Sequence, residues 1–272
     1  MTAPSPLLGY LTEQIGLVLD GLQGLREGTD PIHDTRVAMR RTRSTLRVFE
    51  KLLDRDAARA LESELKWFAA VLGDVRDAQV QLPRLRDALE EIPEVLVLGP
   101  VGSRINLDLR GIETPARQRV SEAMETPRYH NLVAELQRWS VGPPVLRGSE
   151  KKLGRTARKA GAKADGRLQD ALQSDQDELL HRARKAAKRA RYAGELIQWN
   201  APSKKAKRTV KHYKKIQTVL GDLQDTVVAR TVLRQLGAAA GTTAGENGFT
   251  FGVLYAREEH LARQARRDVA EL

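Results

Sequence analysis

The sequence predicts an all-α protein made of two similar helical bundles. Helix-type periodicity runs through most of the 272 residues, and alternating strand patterns are absent. Leu, Ala, Arg, Lys, Glu and Gln fill most of the chain, and all of them form helices readily. Hydrophobic residues make up 41% of the sequence, which argues against wholesale disorder. Because the chain has no cysteine, a disulfide framework, a thiol nucleophile and a cysteine zinc site are excluded.

Clusters of glycine and proline divide the chain into helices. The clusters fall at 28–31, 99–102, 142–148 and 237–248. The first set of predicted helices lies at about 6–26, 33–53, 56–72, 75–91, 103–125 and 128–140. A second set lies at about 151–174, 176–199, 203–220, 223–237 and 250–271. The short apolar piece 95–98 has no partner strand in its neighbourhood.

Two motifs occur twice in the chain, at one common displacement. One is led by histidine: His33-x-x-Arg36-x-x-x-Arg40-x-x-Arg43 is similar to His181-x-x-Arg184-x-x-x-Lys188-x-x-Arg191. The other is Leu-Gly-Asp-x-x-Asp, at 72–77 and again at 220–225. Both pairs are separated by 148 residues, which favours an internal duplication. We therefore predict an N-terminal bundle at 1–142 and a C-terminal bundle at 149–272, each resembling a four-helix bundle.

The charge of the chain is strongly positive and concentrated in one segment. The net charge is +11 and the isoelectric point is about 10.0. Residues 151–215 contain 20 Lys or Arg and 6 Asp or Glu, so the rest of the chain is slightly acidic. Such a segment attracts a polyanion, an anionic membrane surface or an acidic partner. No apolar run approaches the roughly 18 residues of a membrane span, and no secretory signal is apparent, so we expect a cytoplasmic protein.

Rows of cations lie on one face of the predicted helices. The first row, spaced 3, 4, 3 and 4, falls within an arc of about 80° and comprises His33, Arg36, Arg40, Arg43 and Arg47. The second comprises His181, Arg184, Lys188 and Arg191, and Glu195 ends it one turn sooner. Since like charges at this spacing repel and no carboxylate interrupts the first row, we interpret these faces as anion-binding. A solvated face and a partner-protein surface are the alternatives.

Two further basic helices add to these rows. One carries Lys204, Lys207, Arg208, Lys211, Lys214 and Lys215, and the other carries Lys151, Lys152, Arg155, Arg158, Lys159 and Lys163. Packing the basic helices of one half against those of the other creates a cationic trough. We expect two helices, one from each half, to turn their cations toward a shared concave space.

The five histidines show neither an HxxxH nor an HExxH spacing, and we predict no metal site. His33 and His181 head the two rows of cations. Each either donates both ring N–H groups to phosphate when protonated or forms an interhelical hydrogen bond.

The Gly-Asp-x-x-Asp segments predict structural corners between helices. Gly73 and Gly221 end one helix, Asp74 and Asp222 cap the next, and Asp77 and Asp225 follow near the helix dipole. Arg41 and Arg189 need partners if they are partly buried, and we assign Asp77 and Asp225 to them. The alternative is that Asp74, Asp77, Asp222 and Asp225 bind Mg²⁺ for phosphate hydrolysis.

These motifs resemble those of the CHAD family, whose name stands for conserved histidine α-helical domain. The resemblance covers about residues 6–271 and implies two bundles related by a pseudo-twofold axis, with a basic cavity between them. It also implies binding of inorganic polyphosphate and association with polyphosphate granules. Family members are often fused to a triphosphate-tunnel hydrolase domain called CYTH. The chain has no room for that strand-rich barrel, so we expect a stand-alone, non-catalytic binding domain without a cofactor.

With the resemblance, the rows of cations become predicted polyphosphate-binding residues. They are His33, Arg36, Arg40, Arg43, Arg47, His181, Arg184, Lys188, Arg191, Lys207, Arg208, Lys211 and Lys214. Nucleic-acid binding is the second hypothesis. Against it, the chain has only 12 aromatic residues, and none lies between Arg36 and Arg47, where an aromatic side chain could stack on a base. A Mg²⁺-dependent phosphohydrolase and a scaffold for an acidic protein are the remaining alternatives. The sequence leaves the oligomeric state open.

Overall fold

The computed structural model describes residues 5–146, 148, 150–174 and 176–272 and confirms the all-α class. Its helices are α1 (Pro6–Arg26), α2 (Ile32–Val48), α3 (Arg55–Glu90), α4 (Val101–Met124), α5 (Pro127–Val141), α6 (Glu150–Leu172), α7 (Asp177–Asn200), α8 (Lys204–Ala240) and α9 (Phe249–Ala270). Short 3₁₀ turns occupy Glu50–Leu52 and Glu94–Leu96. The extended pairing found in these ranges is a single antiparallel bridge between Leu53 and Val145.

Several helix ends follow from the residues at the predicted joints. Pro6 opens α1, where its fixed φ suits the first turn. Gly28 follows that helix with φ of 75°, a conformation that side-chain-bearing residues rarely adopt. Gly99 and Gly245 have φ of 83° and 81° before α4 and α9. The joints at these glycines are therefore confirmed.

The two predicted Gly-Asp corners are wrong, because α3 and α8 run through them without a break. Gly73 and Gly221 are not among the glycines with positive φ. The buried side of α3 continues past Gly73, with Phe68, Leu72 and Val75 all fully buried. Burial of such side chains is worth about 1.5–3 kcal/mol each, more than the roughly 1 kcal/mol that a mid-helix glycine costs. The apolar face therefore keeps the helix continuous.

The first compact unit comprises the described residues up to Leu72 together with Val120–Gln217. Within it, α1 packs against α2 and α5, α6 packs against α7, and α2 packs against α7. Its core is closed by aromatic side chains, including Phe68 and Tyr129 with ring centroids 5.1 Å apart. This unit contains every predicted polyphosphate-binding residue.

The second compact unit comprises Gly73–Arg119 and Thr218–Leu272. Its core draws on the C-terminal part of α3, on α4, on the C-terminal part of α8 and on α9, with Leu85, Ile105, Leu233 and Leu254 at most 1% exposed. Arg84 donates a 2.7 Å hydrogen bond to the buried Glu258 in the same unit. None of the helices in the described ranges combines the length and the apolar character needed to cross a membrane.

Helix bounds recur at the predicted displacement of 148 residues. Moved by that displacement, α3 falls on 203–238 and α4 on 249–272, close to the observed α8 and α9. The duplication itself and the division at 1–142 and 149–272 stay predictions. Residues 1–4 and Ser149, at the starts of the two predicted halves, lie outside the described residues.

Candidate anion-binding site

Cations from α2 and α7 line a pocket of about 150 Å³ in the first unit. Its lining residues are Arg40, Arg43, Ser44 and Arg47 on α2 with Lys185, Lys188, Arg189 and Tyr192 on α7. Ala38, Met39 and Thr42 lie on the fully buried face of α2, and the cationic row lies on another, partly exposed face. Four predicted residues, three from the first row and Lys188 from the second, thus share one concave surface.

A larger cavity of about 520 Å³ shares two residues with this pocket. Its cations are Arg47, Lys51, Lys159, Lys163 and Arg189, and its carboxylate is Glu50. Glu50 is engaged by Arg59 at 2.6 Å. Because Arg47 and Arg189 line both spaces, the two pockets are adjacent, and we refer to them together, with their walls on α2, α6 and α7, as the joined pocket.

Arg189 lies half-buried in this wall and makes no hydrogen bond or ion pair with the residues that the structure describes. Burial lowers the pKa of its guanidinium, and the neighbouring Arg47 and Arg167 lower it further, whereas Glu62 opposes them. The predicted pairing of Arg189 with Asp225 is not observed among the ion pairs of the described residues. An incoming anion would supply the counter-charge that Arg189 lacks.

Arg40, which lines the pocket, has one donor without a partner in the part of the chain that the structure describes. Its Nε is buried without a hydrogen-bond partner among the described residues. A buried donor that is left unsatisfied costs about 1–3 kcal/mol, so Arg40 carries an uncompensated polar group beside the pocket that it lines.

Two carboxylates enter the cationic surface: Glu62, whose position the rows do not reveal, and Glu195, which ends the second row. Glu62 on α3 accepts hydrogen bonds of 3.0 and 2.9 Å from Arg43 and lies 3.5 Å from Arg47. Glu195 on α7 accepts a hydrogen bond from Arg41 at 3.1 Å and another from Arg191 at 2.8 Å. Arg41 therefore has Glu195 as a partner, and its predicted pairing with Asp77 stays a prediction.

The other predicted residues are not among those that line the joined pocket. Arg36 donates from Nη1 to the carbonyl of Ala69 at 2.5 Å, and Arg191 also donates to Gln217 at 3.1 Å. His181 and Arg184 are partly buried, while His33, Lys207, Arg208, Lys211 and Lys214 are exposed. Within the described ranges, no three His, Asp or Glu side chains are grouped so that they could hold a metal ion.

Sequence reasoning left several lining residues out of the predicted set. They are Lys51, Lys159, Lys163, Lys185 and Arg189, of which Arg189 was given a structural role. A spacing of four residues, which places two side chains on one helix face, relates Lys159 to Lys163 on α6. The same spacing relates Lys185 to Arg189 on α7. That spacing was the available signal, but it does not show which face meets α2.

A family model of the CHAD domain matches residues 9–234, which is most of the chain. The chain belongs to the CHAD domain family. Proteins of this family are associated with polyphosphate. Two uncharacterized proteins of Mycobacterium tuberculosis strains are 32% identical to this CHAD domain over 97% of its length. The chain covers 52% of each of them, so it spans about half the length of these curated relatives.

Solved structures share the fold of this CHAD domain. PptA from Streptomyces chartreusis has a TM-score of 0.83 at 23% identity, with 98% of this chain and 97% of that chain covered. The CHAD domain from the plant Ricinus communis has a TM-score of 0.68 at 24% identity, with 100% and 94% covered.

Proposed function

We propose that this CHAD domain binds inorganic polyphosphate chains in the joined pocket between α2, α6 and α7, without hydrolysing them. The observation that carries the proposal is the convergence of cations from three helices on one concave surface, with Arg189 half-buried there and outside any described ion pair. Membership of a family associated with polyphosphate supports the same ligand.

The chemistry of the lining suits a chain of phosphates. Guanidinium groups give forked hydrogen bonds to phosphoryl oxygens, and ammonium groups act as mobile point charges. Turns of an α-helix recur about every 5.4 Å, so successive cations on α2 meet roughly every second phosphate of an extended chain. Binding releases condensed counterions, and we expect the affinity to fall steeply as salt is raised, as it does for nucleic acids.

A double variant tests the site. Changing Arg40→Gln and Lys188→Gln removes one lining cation from α2 and one from α7. We expect the affinity for long-chain polyphosphate, measured by calorimetric titration, to fall by at least about tenfold, because the ligand loses two cationic contacts. A tenfold loss corresponds to about 1.4 kcal/mol of binding free energy. The control is Arg86→Gln with Arg110→Gln, two exposed cations of the second unit with the same charge change. Equal losses in both variants, with helicity retained, contradict the assignment.

Further measurements separate this function from its rivals. Competition between polyphosphate and DNA or RNA at matched salt distinguishes the proposed ligand from nucleic acid. Release of orthophosphate from polyphosphate with added Mg²⁺ or Mn²⁺ would instead support hydrolysis by the aspartates at 74, 77, 222 and 225. Of these, Asp74 accepts a 2.8 Å hydrogen bond from Arg119.

In the cell, we propose a location at cytoplasmic polyphosphate granules, which fluorescent tagging tests.

A further inference from the structure

Glu62 pairs with two arginines that line the joined pocket, although it is not itself a lining residue. Its Oε1 accepts from Nε and Nη2 of Arg43 at 3.0 and 2.9 Å and lies 3.5 Å from Nε of Arg47. The Glu62 side chain is 13% exposed, against 47% for that of Arg47. Two of the guanidinium groups that line the pocket therefore converge on one carboxylate oxygen.

A carboxylate held by two arginines has the same acceptor chemistry as a phosphoryl oxygen. We infer that Glu62 is a built-in competitor, which makes the site selective for long phosphate chains over short ones. This inference rests on the proposed function and deepens it, because it assigns the selectivity of that same site to one residue.

The selectivity follows from how many cations a ligand can reach at once. A short chain bound near Arg43 and Arg47 meets Glu62 as a repelling charge and an established acceptor. A longer chain also reaches Arg40, Lys188 and Arg189, which line the same pocket. A long chain can therefore be held by these cations without displacing Glu62, so Glu62 lowers the affinity of a short chain more than that of a long one.

The chain offers a matched control on the same helix. Glu64 lies two residues from Glu62 on α3, and its carboxylate pairs with Arg128 at 2.7 Å on the exposed surface. Glu62→Gln and Glu64→Gln each remove one negative charge from the first unit. A general electrostatic effect therefore changes both variants equally, whereas competition at the pocket changes only the first.

The experiment is a calorimetric titration of the wild type and both variants with tripolyphosphate and with long-chain polyphosphate. We expect Glu62→Gln to bind tripolyphosphate on the order of tenfold more tightly than the wild type and to reduce the preference for the long chain. Glu64→Gln should stay within about twofold of the wild type for both ligands. Equal affinities in the two variants, or weaker binding by Glu62→Gln, overturn the role of Glu62.

A second variant keeps the test decisive if Glu62→Gln folds poorly. Glu62→Asp keeps the charge but shortens the side chain, so it should bind tripolyphosphate more tightly than the wild type and less tightly than Glu62→Gln. An affinity no higher than that of the wild type counts against the role. If no protein binds long-chain polyphosphate, the proposed function and this inference both fail. If all bind it with the same selectivity, only the inference fails.

Discussion

Arg41 on α2 donates a hydrogen bond from Nε to Glu195 on α7 at 3.1 Å, and the other oxygen of Glu195 accepts from Arg191 at 2.8 Å. The three side chains are 31%, 16% and 18% exposed. The interruption of the second cationic row by Glu195 therefore has a structural reason, because this carboxylate ties α2 to α7. These two helices also form the walls of the small cationic pocket.

Removing Glu195 should destabilise the first unit. Glu195→Ala leaves two largely buried guanidinium groups near each other without their shared carboxylate, and we expect a loss of about 1–3 kcal/mol in the free energy of unfolding. The control is Glu178→Ala, which breaks the exposed pair with Arg182 and should cost less than about 1 kcal/mol. Urea denaturation followed by circular dichroism measures both. Equal effects would show that Glu195 is not a helix-to-helix tie.

Gly21 should be required for the packing of α1 on α2. A Cβ atom at this position would lie 2.1 Å from Oγ1 of the buried Thr35, so Gly21→Ala forces the helices to shift. We expect a loss of about 1–3 kcal/mol from this overpacking. Gly16→Ala on the same helix meets nothing within 4 Å and should stabilise the protein by roughly 0.5–1 kcal/mol. Thermal melts of the two variants should therefore shift in opposite directions, and shifts of the same sign contradict the α1–α2 packing.

The position of the cations should matter more than their number. Lys159→Gln with Lys163→Gln removes two charges from the joined pocket, whereas Lys207→Gln with Lys211→Gln removes two exposed charges from α8. We expect the α6 pair to weaken binding of long-chain polyphosphate several-fold more than the α8 pair, because only the former lines the pocket. Calorimetric titration at one ionic strength makes the comparison. A larger loss from the α8 pair would move the site to the exposed face of that helix.

Arg189 should show opposite effects on stability and on binding. Its half-buried guanidinium has a lowered pKa and no ion pair among the described residues, so Arg189→Gln should leave the free energy of unfolding unchanged or raise it. The affinity for polyphosphate should fall at least about fivefold, since the ligand loses a forked donor. Urea denaturation and titration of the same preparation measure the two effects. A clear loss of stability with unchanged affinity would assign Arg189 a structural role instead.

Much of the fold follows from local signals, and the exceptions have physical causes. Periodicity and the glycines at 28, 99 and 245 predict most helix bounds because such signals act within a few residues. The corners at Gly73 and Gly221 were wrong because buried apolar residues on both sides outweigh the cost of a glycine within a helix. A single glycine is a weak terminator when the apolar row continues past it.

The candidate site was predicted less completely than the fold. The row on α2 was visible because Arg40, Arg43 and Arg47 share one face. Contributions from Glu62, 19 residues from Arg43, and from Lys159 and Lys163 on α6 depend on tertiary packing. Neither helical spacing nor charge counting indicates which element will pack against a given face, so Glu62, the placement of Lys159 and Lys163, and the partner of Arg41 emerged only from the structure.

A crystal structure of the protein with a short polyphosphate tests the central claim most directly. We expect phosphate density between α2, α6 and α7, with oxygens within about 3 Å of the guanidinium groups of Arg40 and Arg189. Loss of that density in the Arg40→Gln and Lys188→Gln double variant would show that these two side chains hold the ligand. Density confined to the exposed cations of α8, with the joined pocket empty, would contradict the account.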